Sequence, residues 1–598
     1  MSLILSSFNT TDLLVLFLSL TFISLLFFAG RSFAGSKELQ AIQIPIGMFL
    51  IYIFYIIGSI IKTEFSIINV IFFLVILSII GIWRSKDTLS NDLIILLIAF
   101  TFVSPLLLFG ILSHNYLWDD YTNWMPPARY LYKNLHLPTL EEPIINHATS
   151  SYSYLRALIH SIINLPLSEF VMNIQYIFNI LFGSTLFLWA KPIARIIDTK
   201  NKNKITEIIT IMGSFLSFLI IIWIIILFKL LFTGYSEATY LVCLLHLYFY
   251  LIIAIKDNSN YQKNKFDYIL AILLTMPLMI KNVGFYHSII LFFSYLLVFE
   301  FPNIFRNKDN LFQKLKKLSL LISHLVPLFF TKFLWTYYIT KSQLGITKSL
   351  SFGIVFVDTD RLNIIPQILS SAYKQFIGNT AITLPIIIII IFLLFSKKTK
   401  DYKIISNYSL FLFTILFSVG VIILTLMAYV LVFTPYEAIR AASFTRYIAP
   451  LAFILWSSII IATLNLVNNF NLKLIKISAV IITSIYLSII FLNINKFNFN
   501  SNIDEKFIKI SSDIVKNYPE NENLLIIDLQ TNGIDSVKIK YYVDEYMPIK
   551  YFASVHLQGD LNRETIKKWF NDYKNIHIHS ASTSQLEIIK EIVNEFSD

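Results

Sequence analysis

Apolar runs of about 20 residues, the length that crosses the hydrocarbon core of a bilayer, recur along nearly the whole of this 598-residue chain. They extend from Asp12 to Gly30, Ile42 to Ile61, Phe65 to Trp83 and Leu93 to Leu112. A polar, aromatic-rich stretch from Ser113 to Ser168 interrupts the pattern. It resumes at Glu169 to Ala190, Ile208 to Leu231, Ala238 to Ile255, Tyr268 to Ile280, Phe285 to Phe299, Leu318 to Thr340, Thr380 to Phe395, Asn407 to Phe433, Tyr447 to Leu464 and Leu474 to Leu492. The pattern predicts a mainly α, polytopic transmembrane helical bundle of about fourteen spans. With 56% hydrophobic and 14% charged residues, the chain needs lipid as its solvent. The first run lacks the basic flank and small-residue cleavage site of a secretory signal, so it is read as a span.

The net charge of +11 would suggest nucleic acid in a soluble protein. Here the Lys and Arg fall mainly in short loops between apolar runs, and the charge is read as topology, with no nucleic-acid partner. Arg31, Lys37, Arg84, Lys86, Lys191, Arg195, Lys256, Lys263, Lys314, Lys316, Lys397, Lys398, Lys473 and Lys476 all fall on one side, which becomes the cytoplasmic one. The N-terminus, the loop 113–168, a second outer loop 341–379 and the tail then face outward. One cysteine, Cys243, excludes an intrachain disulfide and a cysteine-based metal site. A bacterial inner membrane is the expected location.

Residues 1–496 form the transmembrane part in this reading, and residues 497–598 a small C-terminal extracytoplasmic α/β domain. Charged residues rise in the tail. Leu524 to Leu529 and Ile576 to His579 have strand character, while Arg563 to Tyr573 and Ser584 to Phe596 have helical apolar spacing. No glycine-rich phosphate loop precedes these helices. An acceptor-positioning or packing role is expected of this part.

The informative residues break the topology rule. Lys229, Lys281, Lys332 and Arg446 lie at expected outer ends of spans, where cations should be scarce. A single such lysine snorkels to the interface. Four together point to an anionic partner, and a phosphate suits both the planar fork of Arg and the point charge of Lys. On the same face stand Glu237, Glu437, Asp119 and Asp120, the last two within Trp118-Asp119-Asp120-Tyr121-Thr122-Asn123-Trp124. For Glu237 or Glu437 alone, a helix-starting or exposed role is the simpler reading. The aromatic setting of Asp119 and Asp120 favours function. Farther on, Tyr152 to Ile163 carries Tyr154, Leu155, Leu158, Ile159 and Ile162 on one helical face, the pattern of a helix lying on the membrane surface.

In this ordered set the chain resembles the GT-C superfamily, membrane glycosyltransferases that use polyprenyl-phosphate sugars and include the protein mannosyltransferase and aminoarabinose-transferase branches. The acidic pair in the first long outer loop, Gly234-Tyr235-Ser236-Glu237, Lys281-Asn282-Val283-Gly284 and Ser443-Phe444-Thr445-Arg446-Tyr447 with Pro450 are the positions similar to that family. The chain departs in having three further spans before the acidic loop.

The resemblance implies inverting transfer of a sugar from a polyprenyl-phosphate donor to a hydroxyl of an extracytoplasmic glycan, lipid or protein. Asp119 is the expected base, with Asp120 orienting the acceptor or holding a metal. Lys281 and Arg446 would stabilise charge growing on the departing phosphate. Glu237, Lys229, Lys332 and Tyr447 complete the expected substrate-binding set, and His147 is a candidate for acceptor hydroxyls as well as an ordinary loop histidine. Some members of the class use a divalent cation and others do not. An acidic pair near a phosphate suits Mg²⁺ or Mn²⁺. The rival readings are an O-antigen ligase or polymerase and a transporter or flippase of lipid-linked substrates.

Overall fold

A computed structural model describes residues 10–34, 40–62, 64–112, 124–139, 144, 153–189, 192–193, 236–256, 267–306, 310–342, 359–396, 402–433, 435–466, 502–518, 524–530, 534–546, 552–555, 563–573 and 575–597. Most of them are helical. Among the described residues eight helices are long and apolar enough to cross a membrane. In addition Arg361–Gly378 and Thr380–Leu394 form a pair bent by 79° at one break. The expected spans Ile208 to Leu231 and Leu474 to Leu492 lie outside the described residues.

The first four helices are α1 (Thr10–Ala34), α2 (Gln43–Ile61), α3 (Ile67–Arg84) and α4 (Leu89–Leu112). Apolar side chains such as Ile76, Ile79 and Trp83 of α3 point outward, as helices facing lipid require. Lipid supplies no hydrophobic drive between helices, so α1 and α3 associate through close backbone approach and hydrogen bonds. Gly81 permits the approach, because a Cβ there would lie 1.8 Å from the Phe28 carbonyl oxygen. Ser78 Oγ on α3 donates to the Leu25 carbonyl of α1 at 2.9 Å.

Arg31, expected in a basic cytoplasmic loop, is instead buried at the end of α1. Its guanidinium donates to Asp92 Oδ1 of α4 at 2.7 Å. Gln40 and Thr88 satisfy further positions on the same carboxylate, so the buried charge is both paired and hydrogen-bonded, as its burial requires.

Helices α5 (Met125–Asn134), α6 (Leu155–Asn164) and α7 (Ile174–Ser184) follow. The sequence pattern places α6 on the membrane surface, and the structure corrects this: all ten of its residues are buried. Its polar face is consumed internally. Ser161 Oγ donates to the Ala128 carbonyl of α5 at 2.6 Å, and the Arg156 guanidinium lies 5.3 Å from the centre of the Trp124 ring. Burial pushes the His160 imidazole down to about 3. The ring is therefore neutral at pH 7, and its Nε2–H bonds the Val171 carbonyl at 2.9 Å.

The second half of the bundle contains α8 (Glu237–Lys256), α9 (Tyr268–Ile280), α10 (Val283–Tyr295, continued through a π turn to Arg306), α11 (Leu311–Ser323), α12 (Val326–Lys341), α13 (Thr359–Ile377), α14 (Thr380–Ser396), α15 (Tyr402–Leu431) and α16 (Phe444–Leu466). The segment read as a second outer loop, 341–379, thus contains a helix, α13, which forms the first arm of the bent pair. Among the described spans α8 is the most enclosed, buried along nearly its whole length. Side-chain hydroxyls tie it to its neighbours: Tyr248 meets Ser458 of α16 at 2.7 Å, and Ser458 meets Thr414 of α15 at 2.7 Å. Such contacts act as polar glue where apolar packing alone discriminates poorly.

After residue 501 the character changes. Strands β1 (Leu524–Asp528), β2 (Phe552–Val555) and β3 (Asn575–Ser580) form a parallel sheet in the order β2-β1-β3. It is accompanied by α17 (Asn502–Asn517), α18 (Ile534–Tyr546), α19 (Arg563–Asp572) and α20 (Thr583–Ser597). Every residue of β1 is buried, the condition of a central parallel strand covered on both faces. The expected strands and the two expected helices of this part coincide with β1, β3, α19 and α20. Phe507, Leu524, Ile526 and Tyr541 cluster with Met125 of α5 and Tyr176 of α7. Arg129 of α5 donates to the Tyr541 carbonyl at 2.7 Å and lies 3.8 Å from the Tyr541 ring centre. The C-terminal elements and the helix that follows the acidic segment 113–123 therefore share one buried contact.

Candidate functional site

The site forms where three separate segments meet at the start of α8. Asp267 caps α9, its Oδ1 accepting from the backbone of Ile269 at 3.0 Å and Leu270 at 3.1 Å. At the other end Lys281 leaves helical geometry, with φ −149° and ψ 136°, and α10 starts two residues later. The two helices pack against each other as a hairpin. Gly284 makes so tight a turn feasible, because a Cβ there would sit 2.2 Å from the Pro277 carbonyl oxygen. Lys281 is thereby fixed at the apex.

From this apex Lys281 Nζ reaches Glu237 Oε1, in the first turn of α8, at 2.6 Å. The third segment is the start of α16. Ala441 and Ser443 take positive φ values of 46° and 61°, a sharp turn that aims the following residues at α8. Arg446 Nε lies 3.4 Å from the same Glu237 oxygen. The Tyr447 ring stands beside both cations, 5.3 Å from Lys281 Nζ and 5.5 Å from the Arg446 guanidinium carbon, close enough for its face to stabilise positive charge. Tyr429 and Phe433 hold that ring, at 6.3 and 5.5 Å between centres.

These groups line a narrow cleft with room, as it stands, for about one water molecule, completed by Tyr240, His287 and the apolar Leu241, Val283 and Pro450. One carboxylate faces two cations, so the described cavity keeps a net positive charge. Lys281 and Glu237 are nearly shielded from solvent, with side-chain exposures of 8% and 6%, while Arg446 retains 21%. Glu237 Oε2 accepts no hydrogen bond among the described residues. A buried ion pair of this kind is weak as a source of stability, because desolvation offsets the attraction. Its value is a fixed, low-dielectric positive field at the cavity wall.

Four of the expected site residues, Lys281, Arg446, Glu237 and Tyr447, come together here. Lys332 does not: it is half-buried on α12 and does not line the cavity. Glu437 is exposed in the short helix Pro435–Ile439. Asp119, Asp120, His147 and Lys229 lie outside the described residues. Among the described residues no group of three or more His, Cys, Asp or Glu side chains could hold a metal ion. Sequence reasoning missed Tyr240 and His287. The available signal was a histidine inside an apolar run, since ionisable residues at membrane depth are expensive to keep there.

Replacing Gly284 with Ala is expected to destabilise the protein by about 1–3 kcal/mol, the usual range for overpacking, and to move Lys281 away from Glu237. The added methyl meets backbone, which cannot rotate aside. Thermal unfolding of the purified chain in detergent checks this, and an unchanged midpoint would contradict the tight hairpin.

No protein-family model matches the chain, and no curated protein matches it. The class that the fold and the site define is a mainly helical chain with, among the described residues, about eight helices of membrane-crossing length and a buried, positively charged cavity at the ends of three of them.

Proposed function

We propose that this chain is an integral membrane glycosyltransferase of the GT-C type. It moves a sugar from a polyprenyl-phosphate donor to a hydroxyl of an extracytoplasmic glycan, lipid or protein. The observation that carries this reading is the convergence of Lys281, Arg446 and Tyr447 around Glu237 in one cavity. In this proposal the bundle has about fourteen spans in a bacterial inner membrane, and the C-terminal α/β part faces outward with the acidic loop. Lys281 and Arg446 hold the phosphoryl oxygens and stabilise the charge that grows on them as the glycosidic bond breaks. Phosphate is already a good leaving group, so one base on the acceptor hydroxyl is sufficient. Asp119 takes that proton, and Asp120 orients the acceptor or holds a cation. The cavity itself does not fit a divalent metal, since its one carboxylate already receives Lys281. A Mg²⁺ or Mn²⁺ ion belongs at the Asp119–Asp120 pair in this reading.

A transporter or flippase is the second reading. The 79° break between α13 and α14 favours it, because transporters build substrate sites from interrupted helices. An O-antigen ligase or polymerase uses similar lipid-linked donors. The deciding experiment reconstitutes the purified chain in liposomes with a radiolabelled polyprenyl-phosphate sugar and a panel of hydroxyl acceptors. Label leaving the lipid and appearing on an acceptor is expected. Label crossing the bilayer still attached to its lipid, with no transfer to any acceptor, would assign transport instead.

A further inference from the structure

His287 lies in the wall of the cavity, 2% exposed, and the charge arrangement described above does not use it. It stands on α10, just over a turn from the start of that helix, and faces α8. The Tyr240 hydroxyl of α8 is hydrogen-bonded to its Nδ1. A phenol donates readily, and an imidazole whose Nδ1 accepts carries its proton on Nε2 when neutral. That Nε2 is buried and has no hydrogen-bond partner among the described residues. Buried polar groups are normally paired, so an unpaired one on a residue that lines a cavity points to a ligand atom that completes it.

The neighbours define that atom. A donor in a wall that also carries two cations is suited to an anionic oxygen, and a neutral N–H adds direction without adding a further charge to desolvate. Lys281 supplies a point charge, which attracts an anion but orients it weakly. We propose that His287 is a further ligand-binding residue of this cavity, donating from Nε2–H to a phosphoryl oxygen of the lipid-linked donor. Tyr240 is its positioning residue, fixing the tautomer through Nδ1. This inference rests on the reading of the cavity as the phosphate site of the proposed transferase.

The test measures binding of farnesyl phosphate and of inorganic phosphate to the full chain in detergent by calorimetry. His287→Leu is expected to weaken farnesyl phosphate by about tenfold or more, the usual size for a hydrogen bond to a charged group. His287→Gln, which keeps an N–H donor, stays close to the wild type and shows that the fold tolerates substitution. The ¹⁵N shifts of the His287 ring are expected to report a proton on Nε2 in the wild type and mixed tautomers in Tyr240→Phe. Farnesyl phosphate should bind more tightly than inorganic phosphate. Equal binding of both, each weakened by His287→Leu, supports the same contact with a free anion as its source.

If His287→Leu binds like the wild type while Lys281→Ala loses binding, the inference is overturned and the phosphate site stands. If Lys281→Ala also binds like the wild type, the phosphate site itself is wrong and the inference falls with it. A proton on Nδ1 in the wild type overturns the role given to Tyr240.

Discussion

Lys281→Ala is expected to slow sugar transfer by about 10²- to 10³-fold, the effect of removing one preorganised group that stabilises transition-state charge. The loss should appear mainly in kcat, since the charge on the departing phosphate is largest as the bond breaks. The same substitution leaves Glu237 buried without its closest partner. Breaking a buried pair from one side typically costs about 3–5 kcal/mol, and Arg446 at 3.4 Å offsets part of that. Stability and catalysis are therefore entangled in the single variant. The double variant Lys281→Ala with Glu237→Gln separates them, because it removes the stranded carboxylate charge. Its unfolding midpoint should rise above that of Lys281→Ala while its turnover stays low. Recovery of turnover together with stability would reduce the pair to a packing device.

Asp119→Asn is expected to lower transfer by about 10²- to 10⁴-fold, the range for a positioned general base, with expression and unfolding unchanged. Asparagine is nearly isosteric but cannot accept the acceptor's proton. The position lies outside the described residues, so its claim comes from sequence: an acidic pair set among aromatic residues in the first long outer loop. A pH profile sharpens the test, because the acidic limb of kcat/KM should disappear with the carboxylate. Equal turnover by mutant and wild type would sink the base assignment while leaving the cation cavity untouched.

How much of this was legible in the sequence depends on which physical signal each feature leaves. Apolar length is written directly, and α1, α2, α3, α8, α15 and α16 stand where runs of lipid-compatible residues predict them. Lys281 and Arg446 were visible as cations at span ends where cations should be scarce, Glu237 only as a carboxylate expected on the same face, and the structure adds that the three share one cavity. Their distances were not readable, because three segments far apart in sequence meet only through packing. The helix α6 was misread for a related reason. Its amphipathic pattern states that two faces differ, but not that α5 and the Val171 turn would absorb the polar face through Ser161, Asn164 and His160. Arg31 was placed in a loop by counting charges, a method blind to a buried partner such as Asp92. His287 left only the mark of a lone histidine among apolar residues.

The placement of Glu237, Lys281 and Arg446 also bears on the chain's biogenesis. Membrane proteins emerge N-terminus first, and Lys281 follows Glu237 by only 44 residues. The two can neutralise each other soon after they enter the bilayer, so neither lingers as a lone charge in hydrocarbon. Arg446 arrives much later, with α16. Until then the partners form a balanced couple with little attraction for an anion. The last of the three segments to be synthesised is therefore the one that makes the pocket electropositive, and a nascent chain halted before α16 is electrically silent toward an anion.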